Sequence, residues 1–380
     1  MKNITYLLGA GASAFAMPVI NNMRTRITCV LNKLEDFSDT KLNTETYFKI
    51  GFKKEFQPEY DKIRKELIWL FEESEHHQTV DTLAKKLYHT DEDGLLRLKR
   101  ALIFYFLLEQ LIDFQTEPIN TSNPDAYRKK DMPDKRYDSF IASILKNEPG
   151  KVMLKAGISI ITWNYDMQFE LSFKNYKKDA DAYIFNLQKQ LQVVPSRYCI
   201  ESPEYFNTLD ENNFSIVKLN GQALFYNEDK QNYRTILDEL APYQNERLNN
   251  FFHYSRQFLT ENWPQDDFYK MFNFCWEHNE NGPAYVYKNI DKTIAYAKKI
   301  AEKTEILVII GYSFPFFNRE TDSFLINNMK KLQTVYIQDM PNRVGNIVSL
   351  FKSSFEGLPY PGPSIIPVSY IDSFFLPPQL

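Results

Sequence analysis

Ile4-Thr5-Tyr6-Leu7-Leu8-Gly9-Ala10-Gly11-Ala12-Ser13 is the stretch whose reading decides the fold. Five residues of apolar, β-branched or aromatic character run straight into a glycine turn that ends on a hydroxyl. Such a run predicts a buried strand. Glycines directly after it let the chain reverse into a helix without steric penalty. The stretch follows one early lysine and imitates a secretory leader, but its apolar part is too short, so it reads as a first strand.

Working outward, Ile158–Thr162, Ile306–Ile310 and Thr334–Ile337 repeat the pattern, each ending in small or polar residues. A further strand is expected over Phe214–Leu219, closing on Asn220-Gly221. Plausible helices follow these strands, and that alternation predicts an α/β fold on a parallel sheet. The nearly 150 residues between the first two strands differ in texture. Ile63, Leu67, Leu70 and Phe71, then Val80, Leu83, Ala84 and Leu87, then Leu95, Leu98, Leu102 and Phe106 follow helical spacing. The expected organisation is therefore a sheet domain from 1–35 and 151–345, with a helical block at about 228–303. A helical insertion spans 36–150, and a C-terminal extension over 346–380 docks on the body. The charged run Arg128–Arg136 reads as a solvated loop, with a phosphate or partner patch as the alternative. The aromatics Phe251, Phe252, Tyr254, Phe258, Trp263, Phe268, Tyr269, Phe272, Phe274 and Trp276 read as helix packing or as a self-association surface.

Composition limits the partners. A formal charge of −4 over 380 residues gives no global case for nucleic-acid binding. Cys29, Cys199 and Cys275 are too few for a four-cysteine zinc site and too scattered for a disulfide framework, which suggests a reducing cytoplasm. No run reaches the roughly 18 apolar residues of a membrane span. The five histidines lack metal-ligand spacing. His89-x-Asp91-x-Asp93-Gly94 imitates a calcium loop, but Arg100 stands where the closing Glu belongs. No metal is expected.

Four strand ends carry residues suited to a ligand, and in open α/β sheets ligands sit at such ends. Gly9, Ala10, Gly11 and Ser13 form a turn whose backbone can approach a phosphate, although neither a full dinucleotide fingerprint nor a P-loop is present. Read without a ligand, they make a tight turn. Asn164 and Asp166, in Thr162-Trp163-Asn164-Tyr165-Asp166, suit a ribose diol and an amide; the alternative is an Asx-turn. Gly311 and Ser313 repeat the glycine-and-hydroxyl pattern, and Pro315 excludes a nucleophile elbow. Gln338 and Asp339 end the last strand, where a carboxylate can hold an adenosine ribose. His253 is a distant acid–base candidate.

The order Gly9-Ala-Gly-Ala-Ser13, Thr162-x-Asn164-Tyr165-Asp166, Lys218-Leu219-Asn220-Gly221, Gly311-Tyr312-Ser313 resembles the motif series of the sirtuin-like superfamily. It is most similar to the bacterial anti-phage defence branch, which carries a helical insertion. The resemblance covers about residues 1–345. It implies a Rossmann-like NAD-binding domain in which Gly9, Ala10, Gly11 and Ser13 cradle the pyrophosphate. Asn164 would bind the nicotinamide ribose and hold the attacking water, and Asp166 would contact the carboxamide. Gly311, Ser313, Gln338 and Asp339 would serve the adenosine side. The implied activity is NAD hydrolysis to ADP-ribose and nicotinamide in anti-phage defence. The implied partners are NAD or ADP-ribose, further copies of the chain, and an ATPase or nuclease subunit.

Two departures from the family bear on activity. The four-cysteine zinc ribbon of the protein-deacylating members is missing, which disfavours peptide chemistry. Asn220-Gly221 stands where the family has His-Gly, and loss of a general base costs about 10²–10⁴-fold. Asn220 orients water in a slow hydrolase, or His253 or Asp166 substitutes, or the chain binds NAD without turning it over.

Overall fold

The computed structural model describes residues 2–17, 23–38, 41–42, 49–50, 52–77, 79–112, 133–148, 152–224, 235–238, 244–259, 271–277, 290–354 and 362–380. In chain order the elements begin with β1 (Ile4–Leu8), α1 (Met23–Ser38), β2 (Lys41–Leu42), β3 (Lys49–Ile50), α2 (Gln57–His76), α3 (Val80–Thr90), α4 (Glu92–Leu111) and α5 (Lys135–Ile144). They continue with β4 (Ile158–Thr162), α6 (Gln168–Lys174), α7 (Ile184–Gln190), β5 (Val193–Val194), α8 (Arg197–Glu201) and β6 (Ser215–Lys218). The last group is α9 (Gln244–Ser255), α10 (Ile290–Lys303), β7 (Ile306–Ile310), α11 (Arg319–Asn328), β8 (Thr334–Gln338), α12 (Val344–Ser354) and β9 (Ser364–Val368).

The chain divides into two compact units. One comprises 1–14, 133–222 and 273–380 and carries a seven-stranded, all-parallel sheet in the order β5-β6-β4-β1-β7-β8-β9. The α/β expectation holds. β1, β4 and β7 are buried along their whole length, which is why they read as unbroken apolar runs. Helices flank both faces. Tyr296, Ala297 and Ile300 of α10, Leu325 and Ile326 of α11 and Ile347 and Phe351 of α12 join Leu7, Ile161, Val217, Leu307, Ile309, Val335 and Ile337 in one core. Tyr6 packs edge-on against Phe140 of α5, with centroids 4.8 Å apart, and Phe169 of α6 stacks on Phe214 at 5.3 Å. The C-terminal segment does more than dock: β9 extends the sheet beside β8.

The second unit comprises 15–132 and 223–272. Here α2 packs on α1, α3, α4 and α9. Thr79 and Asp91 cap α3 and α4 by accepting from Thr82 N and Gly94 N at 3.1 and 3.0 Å. Arg26 and Glu109 form a buried two-pronged ion pair at 3.1 and 2.9 Å. These groupings differ from the expected boundaries at three places. Residues 133–150 belong with the sheet unit, where α5 packs on α6. Residues 15–35 belong with the helices because α1 packs on α2 and α4, and residues 223–272 do so because α9 packs on α2 and α4. Phe251, Phe252, Tyr254, Phe258, Phe272 and Phe274 are buried, so these six are packing residues; Trp263, Phe268 and Tyr269 lie outside the described residues.

One expectation is overturned. Residues 128–132 of the charged run lie outside the described residues, but Asp134 and Arg136 are buried as an ion pair at 2.6 Å. Asp134 accepts from Arg136 N at 3.0 Å and thereby starts α5. A charge run predicts solvent only when its members lack partners, and these two have each other. Among the described residues no helix is long and apolar enough to cross a membrane.

Candidate functional site at the carboxyl edge of the sheet

The register makes the carboxyl ends of five strands level. Lys218, Thr162, Leu8, Ile310 and Gln338 are consecutive partners across β6, β4, β1, β7 and β8. The residues that follow them therefore emerge along one edge. The strand order also reverses at β1. The chain adds β4, β5 and β6 on one side and β7, β8 and β9 on the other. In open α/β sheets such a reversal leaves the crevice where ligands bind.

At the reversal the two glycine turns touch backbone to backbone. Gly9 N donates to Ile310 O and Gly11 N to Gly311 O, both at 3.0 Å. A Cβ on Gly9 would lie 2.6 Å from Gly311 O, and one on Gly11 would lie 2.7 Å from Gly311 Cα. Gly311 itself has φ +59°, and a Cβ there would lie 2.4 Å from Gly11 C. The glycines are thus required by packing, independently of any ligand. Ala12 N donates to Gly9 O at 2.9 Å, so three of the turn's N–H groups are engaged. Ala10 N–H has no acceptor among the described residues. Beneath the turn, the Arg136 guanidinium donates to Ala12 O at 2.7 Å and Gly11 O at 3.4 Å.

Ser13 is the centre of a buried cluster. Asn164 Nδ2 donates to Ser13 Oγ at 3.1 Å and to Gly9 O at 3.0 Å. The Tyr137 hydroxyl lies 2.8 Å from Ser13 Oγ, and the Ser13 hydroxyl supports the Asp166 carboxylate. Among the described residues no donor reaches Asn164 Oδ1. Burial pushes the Asp166 carboxyl above the usual carboxylate range. The Gln168 N–H at 3.0 Å, the Lys218 ammonium and Ser13 oppose that shift. Burial also raises the Tyr137 hydroxyl well above its ordinary value, so Tyr137 stays protonated.

Lys218 and Glu170 form a fully buried pair at 2.7 Å, and Lys218 Nζ also donates to Asp166 O at 2.8 Å. The lysine thereby fixes the backbone of the Asn164–Asp166 segment. Asn220 Nδ2 donates to Trp163 O at 3.2 Å, and Asn220 O accepts from Asn273 N at 2.9 Å. Asn164, Asp166 and Asn220 thus come from adjoining strand ends and are tied to one segment.

The third strand end is held rigidly. Tyr312 stacks on Trp163 with centroids 5.9 Å apart and planes 15° apart. Its hydroxyl donates to Asp322 Oδ2 at 2.6 Å and accepts from Asn318 Nδ2 at 3.1 Å. Burial pushes the Asp322 carboxyl up to about 8 against the pull of Tyr312 and Trp163. Phe314 is buried with φ +52°, a left-handed conformation that costs a bulky residue energy and persists only where its surroundings enforce it. Between them Ser313 is exposed.

Gln338 is committed elsewhere, whereas Asp339 is engaged through one carboxylate oxygen. Gln338 Nε2 donates to Tyr370 O at 2.8 Å and Ser373 O at 2.6 Å, and its Oε1 accepts from Phe375 N at 2.9 Å. It clamps the C-terminal segment. Asp339 Oδ1 accepts from Met340 N at 2.7 Å and lies 3.7 Å from Arg343 Nε. His253 stands exposed on α9 in the helical unit, and the sheet unit has no histidine among its described residues; His278 lies outside them. An open cavity of about 340 Å³ lies at the opposite edge, where Val152, Leu154, Phe173, Gln192 and Phe214 line it.

Arg136, Tyr137 and Asp322 escaped sequence reasoning, since their partners lie far along the chain or carry no motif. Lys218 left one trace, a cation ending an otherwise apolar strand. No protein-family description and no curated protein matches the chain.

Proposed function

We propose that the carboxyl edge of the sheet binds NAD and hydrolyses its nicotinamide glycosidic bond, in the manner of the sirtuin-like proteins that the motif series resembles. One observation carries this reading. Asn164 joins the β4 end to the glycine turn of β1 through two bonds from Nδ2 and leaves Oδ1 without a described protein donor. A carboxamide held so firmly, with its acceptor oxygen spare, suits a ribose hydroxyl. The Ala10 N–H is the turn's available donor for a phosphate oxygen.

In the reaction the C1′–N bond breaks and its electron pair passes to nicotinamide. Water forms the new C1′–O bond and gives up a proton. Asn164 Oδ1 orients the ribose, and Asp166, whose carboxyl burial raises above its ordinary value, takes the proton. Nicotinamide release from NAD tests the reading. Asn164→Ala is expected to lower release by about 10²-fold, with a melting curve taken alongside to establish folding. Release that survives the substitution in a folded variant overturns the assignment.

A second reading is favoured by Asn220, whose amide is spent on Trp163 O. On it the chain binds NAD or ADP-ribose without turnover and acts within an assembly of its own copies or with an ATPase or nuclease subunit. Asn220→His separates the two. A rise in nicotinamide release of about 10²-fold or more is expected if this position lacks only a base. Unchanged release with NAD still bound means that the position is not the missing base.

A further inference from the structure

Among the described residues Phe316 is 72% exposed, whereas the next most exposed large apolar side chain, Met153, is 44% exposed. Single apolar residues on a surface need no explanation, but this one is not on a loose loop. Tyr312 is fixed by Asp322, Phe314 is buried against Tyr312 and Phe351, and Asn318 is buried against the Tyr312 hydroxyl. The Phe316 ring is held out between two anchored neighbours. Arg319, also exposed, places its guanidinium carbon 5.5 Å from the ring centroid, and Phe317 meets the ring edge-on at 5.8 Å. Ser313 presents its hydroxyl from the same segment. Residues 316–318 also adjoin 275–277, which follow the Asn273 bound to Asn220.

We propose that Phe316 is the platform on which the adenine ring of the dinucleotide stacks, backed by Arg319, with Ser313 offering its hydroxyl to the adjoining ribose or phosphate. The inference rests on the NAD-binding reading above and assigns a partner to the adenine half of the ligand, where Gln338 is already bound to the C-terminal segment. Strand spacing supports the placement. From β4, whose end carries Asn164, to β7 is two interstrand steps, about 10 Å. A ligand with its nicotinamide riboside at Asn164 and its pyrophosphate over the β1 turn brings its second nucleoside to the β7 end. Aromatic faces accept any base, and a cation behind the ring strengthens the platform.

Calorimetric titration of NAD and ADP-ribose onto the full chain tests this. Phe316→Ala is expected to weaken both ligands at least about tenfold, and Phe316→Trp to bind within a few-fold of the native chain. Equal affinity in Phe316→Ala, or a Trp variant as weak as the Ala variant, overturns the platform while leaving the NAD reading intact. A change in particle mass by light scattering without a change in affinity makes Phe316 a protein contact and overturns it equally. Failure of the native chain to bind either ligand overturns both readings at once.

Discussion

Gly311→Ala is expected to abolish the fold of the sheet unit, whereas Gly345→Ala leaves it intact or slightly more stable. At Gly311 the new Cβ meets three backbone atoms of the facing turn at 2.4–2.5 Å, and the residue must keep φ +59°. Backbone cannot swing aside as a side chain can. The left-handed conformation adds roughly 1–2 kcal/mol, and separating β1 from β7 at their ends disrupts the centre of the sheet. A loss above about 4 kcal/mol is the class of effect expected. Gly345 lies in α12 with nothing within 4 Å of its added methyl. There alanine gains up to about 1 kcal/mol of helix propensity. Thermal unfolding followed by circular dichroism compares the pair. A cooperative Gly311→Ala transition near that of the native chain would contradict the turn-on-turn packing.

Asp322→Asn is expected to raise stability at neutral and alkaline pH. The carboxyl goes from an ordinary value of 3.8 in the unfolded chain to about 8 in the fold. A group raised by folding contributes its full stability below the unfolded value and loses it as pH rises through the folded one. The native chain therefore weakens between about pH 4 and pH 8 through this group. At pH 7 the difference reaches roughly 4 kcal/mol as an upper figure, at about 1.36 kcal/mol per pH unit. Asparagine keeps an acceptor for the Tyr312 hydroxyl and removes the titration. Urea unfolding at pH 5 and pH 8 should show a variant advantage that grows with pH. An advantage that stays constant would show that Asp322 does not carry the proton.

Much of this architecture was legible because its central strands are buried on both faces. Ile158–Thr162 and Ile306–Ile310 could be delimited to the residue for that reason. β5 has two residues, too few for a pattern, and β9 carries Pro367, which argues against a strand unless it lies at a sheet edge, as it does. The site was half legible. Asn164, Ser13 and the glycines stand beside strand ends, where local sequence announces them. Tyr137 reaches Ser13 across 124 positions, and nothing near residue 137 signals that contact. Arg136 and Asp134 were misread because a charge run does not disclose which of its members pair in the interior. Gln338 has the chemistry of a ribose ligand, but the fold spends it on the C-terminal segment, a partner only the tertiary structure supplies.

The most direct test of the central claim is a crystal structure of the chain with bound NAD or ADP-ribose. The account predicts ligand density along the carboxyl edge of the sheet, with the pyrophosphate over Gly9–Ser13, a ribose hydroxyl on Asn164 Oδ1 and the adenine against Phe316. Density elsewhere, with that edge filled only by solvent at saturating ligand, would contradict it.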